Sequence, residues 1–159
     1  MPRAKARELT LIWSAISVGT VYLTTSAVIS QAANLNGMTI IPGFLDIRFM
    51  SNRGVSFGLL AQKSDLGIYL LTGATAALTV VLIFWAYRTT RPLLGAALGT
   101  IIGGALYNTI GRGLYGGVFD FLSVRVGSIH LFVCNAADIA ITLGALVLLF
   151  DQFMEAQPA

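Results

Sequence analysis

Two aspartates carry the chemistry this sequence could do. Asp138 lies inside a long apolar stretch, about two turns into the run 126–150 at roughly 1.5 Å per residue. A carboxylate placed in a membrane helix costs about 2.5–3.5 kcal/mol, so its presence asks for catalysis, ion binding, a proton relay or a structural bond to a neighbouring helix. Asp120 follows the preceding apolar run, in Gly116-Gly117-Val118-Phe119-Asp120-Phe121. Alone it is ambiguous, since an Asp near a helix end is often a cap. Together they matter more: the chain leaves one apolar run near Asp120 and enters the next near Asp138, which can set the two acids face to face at one depth. Facing carboxylates cannot both ionise easily, so one keeps its proton. Such a pair can activate water against a carbonyl and protonate the leaving amine. The titration belongs to the pair, and the sequence does not say which member holds the proton.

Other groups offer weaker chemistry. Asn108 and Asn135 are amides within apolar surroundings, suited to orienting a carboxylate or a substrate backbone, or to bonding helix to helix. Asn135 stands three residues before Asp138 and is expected on the same helix side. Ser128 has no nucleophile-elbow pattern around it. Cys134 and His130, four apart, would share a face if that segment were helical. A lone cysteine excludes an intramolecular disulfide and a Cys-based zinc site, and with one histidine no metal site or cofactor is expected.

The elements that must position these residues follow from composition. The chain has 159 residues, of which 56% are hydrophobic and 11% charged. Its mean hydropathy is +0.80. Soluble domains carry about 25% charged residues. Charges bracket four apolar runs, at about 9–30, 66–87, 92–110 and 126–150, of which only the last contains a charge, Asp138. Each approaches the roughly 20 residues that span a bilayer. The expected fold is therefore an all-α membrane protein of four transmembrane helices, a single integral membrane domain over 1–159. Its outer loop, 31–65, is expected to form a small extramembrane β-sheet. Met38 to Met50 mixes β-branched and aromatic residues around a Pro42-Gly43 turn. Ser30-Gln31-Ala32 resembles a small-x-small cleavage site, but the first run is long for a signal segment and is read as an uncleaved helix. Gly95, Gly99 and Gly103 present a smooth face for close helix packing.

The pI near 9.4 reflects topology rather than nucleic-acid binding. Arg3, Lys5 and Arg7 flank the first run, and Arg88 and Arg91 fill the second loop. They favour cytoplasmic termini under the positive-inside rule, although Arg48, Arg53, Lys63, Arg112 and Arg125 lie on the opposite side. Trp13 and Trp85 would belong to the cytoplasmic aromatic belt.

Four segments, in order, resemble the lipoprotein signal peptidases (signal peptidase II), a family of aspartic peptidases. Asn52-Arg53-Gly54-Val55-Ser56-Phe57-Gly58 is similar to the family's N-x-G-x-x-F-G. Gly104 to Arg112 is similar to G-x-x-G-N-x-x-D-R, Gly116 to Phe121 to G-x-V-x-D-F, and Phe132 to Asp138 to F-N-x-A-D, with Cys134 inserted or shifted against the Phe. The resemblance implies that Asp120 and Asp138 are the catalytic pair. It implies that Asn52, Gly54, Asn108, Arg112 and Asn135 contact substrate or shape the site. It further implies a diacylated prolipoprotein substrate cut before its lipidated Cys, contact with membrane lipids, a globomycin-type inhibitor, and a site near the periplasmic face of the bacterial inner membrane. Three departures stand out. Gly111 replaces the Asp of N-x-x-D-R, Tyr107 replaces a glycine, and Leu23-Thr24-Thr25-Ser26 stands where the family carries D-Q-x-x-K. They leave open a weakly active or inactive paralogue that binds lipoproteins or peptides. A small proton-coupled transporter is a further alternative from another class, against which stand the absence of internal repeats and the clustering of both acids near one surface.

Overall fold

The computed structural model describes residues 2–54 and 65–155. Among them are four long helices: α1 (Pro2–Ser30), α3 (Asp65–Arg88), α4 (Pro92–Tyr115) and α5 (Ala136–Glu155). A short helix, α2 (Ala32–Leu35), follows α1. All four long helices have the length and apolarity to cross a membrane. Helices suit that role because each closes its own backbone hydrogen bonds. Their large apolar side chains, such as Leu11, Leu70, Leu78 and Phe153, are exposed and face outward.

α4 is the centre of the bundle and packs against α1, α3 and α5. Its glycines make this possible. A methyl group at Gly95 would lie 2.5 Å from the Ala6 carbonyl oxygen, and one at Gly103 would lie 2.5 Å from Ser17 Cβ. Ser14 and Ser17 on α1 donate hydrogen bonds to the Gly99 and Thr100 carbonyls at 3.0 and 3.1 Å. On the other side Gly104 admits the Ala137 carbonyl, which a methyl would meet at 2.7 Å. That contact seats the start of α5 against α4 one turn before Asn108. Leu94, Leu98 and Ile102 close the interior with Ala86.

At the bundle end that holds residues 88–91, Arg91 pairs with Asp151 at 2.7 Å and with Glu155, tying α4 to α5. Arg7 lies over the Tyr87 ring, 3.6 Å from its centroid, and ties α1 to α3.

At the opposite end lies a four-stranded antiparallel sheet, ordered β1 (Thr39–Ile41), β2 (Leu45–Asn52), β3 (Val118–Val126), β4 (Ile129–Cys134). Only half of it comes from the first loop. The fourth run, expected as helix from residue 126, begins its helix at Ala136. Residues 126–134 instead finish β3, turn at Gly127 (φ 61°) and form β4. Ile129-His-Leu-Phe-Val-Cys is apolar enough to extend a hydropathy window, yet its β-branched and aromatic residues suit a pleated sheet. Asp138 therefore lies in the first turn of α5, not two turns into it.

Candidate active site

The strand register brings the site together. Asn52 pairs with Val118 and Met50 with Asp120, so Asn52 and Asp120 are diagonal neighbours on one sheet face. Leu122 pairs with Cys134, which places Asp120 just beyond the end of β4, beside the start of α5. Asp120 and Asp138 are both buried, at 1% and 3% exposure.

Asn135 joins them. Its Oδ1 accepts hydrogen bonds from the N–H groups of Ala137 (2.8 Å) and Asp138 (3.2 Å), so it caps α5. Asp138 Oδ2 accepts from the Asn135 backbone N–H at 3.0 Å, completing a reciprocal capping box. With its oxygen committed to the helix, the Asn135 amide nitrogen must point away. It donates to Asp120 Oδ1 at 2.7 Å and to Asn108 Oδ1 at 3.2 Å. Asn108 is oriented in turn, and its nitrogen donates to Asp138 Oδ1 at 3.1 Å. Asn52 obeys the same logic. Its Oδ1 accepts from the Gly54 N–H at 2.7 Å, and its nitrogen donates to Asp120 Oδ2 at 2.8 Å. Every carboxylate oxygen of the pair thus receives an N–H from a group whose orientation is fixed elsewhere.

Arg112 completes the enclosure from α4. It is buried, and its Nε donates to the Gly54 carbonyl at 2.8 Å while Nη1 reaches the Asn108 carbonyl at 3.3 Å. The substitution of Gly111 for an acid does not leave Arg112 loose: two backbone carbonyls hold it, and its charge acts on Asp120.

Burial is the largest influence on the Asp120 carboxyl and pushes it upward. The Asn52 amide opposes, the Asp138 charge adds to the rise, and Asn135 and Arg112 pull down, leaving it raised to about 6. The Cys134 thiol is pushed up to about 12, by burial first and then by the charges of Asp138 and Asp120. It stays protonated and is a poor nucleophile. The Cys134–His130 pairing expected for a helix does not form, because both lie on β4, where four residues span about 13 Å. His130 Nδ1 instead shares a 3.1 Å hydrogen bond with Ser123 Oγ.

All seven residues singled out in the sequence meet here: Asp120, Asp138, Asn52, Gly54, Asn108, Arg112 and Asn135. Phe57 and Gly58 of the first motif lie outside the described residues. Asn135 differs from its expected placement, since it caps α5 rather than projecting from within it. The N-x-x-D spacing carried that signal. Sequence reasoning missed an apolar cavity that reaches Asp138 between the sheet and α5.

The fold and site define a multi-pass membrane protein with a buried carboxylate pair where a sheet meets the helix bundle. Residues 14–154 match the family model of signal peptidase (SPase) II. The chain is 44% identical to the lipoprotein signal peptidase of Methylocella silvestris over 73% of its own length and 68% of the relative's. It is 40% identical to that of Methylobacterium radiotolerans (92% and 82%) and 34% identical to that of Yersinia pseudotuberculosis (91% and 88%). The chain belongs to the signal peptidase II family, and is a membrane protease of lipoprotein processing. Two solved structures described as bacterial membrane enzymes share the fold, each at 21% identity. Their TM-scores are 0.78, covering 93% of this chain and 89% of the other, and 0.71, covering 90% and 91%.

Proposed function

We propose that Asp120 and Asp138 form an aspartic endopeptidase pair that cuts diacylglyceryl-modified prolipoproteins just before the lipidated Cys. The observation that carries this reading is the Asn135 bridge, which bonds one carboxylate with its side chain and the other with its backbone. Asp120, raised to about 6, is the member that retains the proton. A lipidated substrate displaces water and strengthens that tendency. Asp138 takes a proton from water as the water attacks the scissile carbonyl. Asp120 donates a hydrogen bond to the developing oxyanion and then passes its proton to the leaving amine. The arginines near residues 88–91 and the N-terminus favour cytoplasmic termini, which puts the carboxylate pair toward the outer face of the inner membrane. There the pair meets membrane lipids and substrate, and a globomycin-type inhibitor would occupy it.

The test is cleavage of a purified diacylglyceryl prolipoprotein in detergent, with the released peptide sized by mass spectrometry. The reading expects a single cut before the lipidated Cys, blocked by globomycin and absent for the unlipidated precursor. A cut elsewhere, or equal cutting of the unlipidated precursor, would overturn the substrate assignment. Full activity in Asp120→Asn or Asp138→Asn would overturn the mechanism.

A further inference from the structure

Between the sheet and α5 lies an open cavity of about 290 Å³. Leu45, Val124, Phe132 and Cys134 line its sheet wall, and Leu143 and Asp138 belong to its helix wall. Among the described residues Asp138 is the one acidic residue in its lining, and the surface the cavity exposes is almost wholly apolar. Leu143 lies five residues further along α5, about 7.5 Å deeper at 1.5 Å per residue. The cavity therefore runs from Asp138 down the first two turns of a membrane helix. Leu143 is 55% exposed on that helix, so the cavity is continuous with the surface that meets lipid.

Its chemistry selects the occupant. The lining strands pair with one another, Leu45 with Val124 and Val124 with Phe132, so their backbone groups are engaged in the ladder. The Thr142 hydroxyl beside the cavity donates to the Asp138 carbonyl at 2.8 Å. A peptide backbone in this space would forfeit its hydrogen bonds, whereas hydrocarbon forfeits nothing. An apolar cavity of about 150 Å³ already holds benzene. Twice that volume accommodates a stretch of alkyl chain.

We propose that this cavity receives an acyl chain of the lipidated substrate, and that Cys134 sets how much chain it admits. The proposal rests on the function proposed above and adds the place where the lipid is read. Cys134 is the smallest side chain on the sheet wall and directly precedes Asn135, the cap that orients both carboxylates. Chain seated against Cys134 therefore holds the lipidated Cys, and with it the scissile bond, at a fixed distance from the pair. A larger residue at this position would fill the space the chain requires.

The test uses the full chain in detergent and a diacylglyceryl peptide carrying a diazirine in one acyl chain. Photo-cross-links, mapped by mass spectrometry, are expected on β4 and the first two turns of α5. Cys134→Phe should reduce them at least tenfold and reduce the preference for dipalmitoyl over dibutyryl substrate by a similar factor. Leu143→Trp, from the helix wall, repeats the test should Cys134→Phe fail to fold. Leu78→Phe, on the exposed face of α3, should change neither. The cross-link does not require turnover, so an inactive Asp120→Asn that still cross-links would separate the cavity from the catalytic reading. Active enzyme whose cross-links fall elsewhere would overturn the cavity assignment. Equal labelling by a diazirine phosphatidylglycerol in the presence of substrate would assign the cavity to bulk lipid, and labelling by a diazirine on a peptide side chain would assign it to the peptide. Either result overturns the proposal.

Discussion

Replacing Asn135 separates two jobs that one side chain performs. Its oxygen caps α5, and its nitrogen holds Asp120 and Asn108. Serine keeps a capping oxygen but has no nitrogen to reach Asp120. Asn135→Ser therefore leaves the buried Asn108 oxygen without its donor, at a cost of about 1–3 kcal/mol. Asn135→Ala loses the cap as well, adding about 1 kcal/mol. The two variants should then differ in thermal unfolding by the cap alone while being similarly impaired in catalysis. A carboxylate displaced by about 1 Å costs on the order of 10²-fold in rate. The Asn135 amide also lowers the Asp120 titration, so its loss raises it further. The alkaline limb of kcat/KM should accordingly move to higher pH in Asn135→Ser. The assay is the pH profile of a quenched-fluorescent lipopeptide alongside thermal unfolding in detergent. Wild-type kcat in Asn135→Ser with an unmoved limb would refute the positioning role, and equal stability of the serine and alanine variants would refute the cap.

Other outcomes follow from the same geometry. In the wild type, kcat/KM should fall as pH rises through about 6, where Asp120 loses its proton. The kcat limb should lie higher, because bound substrate excludes water. Stability has the same sign: a carboxyl raised on folding contributes most below its unfolded value near 3.8 and loses that contribution as pH rises through about 6. Asp120→Asn should flatten the slope across that window in unfolding measurements. Gly103→Ala should loosen α1 from α4 by about 1–3 kcal/mol, since its methyl would meet Ser17 Cβ at 2.5 Å, and thermal unfolding should register the loss. Gly111→Asp should fold, because its Cβ would meet Val118 Cγ1 at 3.2 Å and the Gly117 carbonyl oxygen at an ordinary 3.6 Å, and helix propensity improves by a few tenths of a kcal/mol. Its activity should stay within severalfold of wild type, since Arg112 already has two carbonyl partners, and a large gain would contradict that account.

The helices were legible because charges bracket them. Asp65 and Arg88 enclose α3, and Pro92 fixes the start of α4. The glycine face of α4 was legible from spacing alone. The carboxylate pair was legible because an acid in apolar surroundings is costly and the flanking motifs come in order. The second half of the sheet was not. Residues 129–134 are as apolar as a membrane helix, and their preference for strand depends on pairing with β3, with partners 3 to 12 residues away across a tight turn. Assigning them to helix began that helix ten residues early, set Asp138 too deep in it, invited a Cys134–His130 pair and hid the cavity beside α5. The hydrogen-bond polarity was also invisible. Which end of each amide faces a carboxylate is settled by the N–H groups of α5 and of Gly54, and those exist only once the backbone has folded.

The most direct measurement of the central claim is single-turnover cleavage by Asp120→Ala, Asp138→Ala and the double variant, each confirmed folded by thermal unfolding. Two carboxylates sharing one proton act as a unit, so each single variant should lose nearly all activity and the double variant should be no worse. Losses that multiply in the double variant, or substantial cleavage in either single one, would contradict the account.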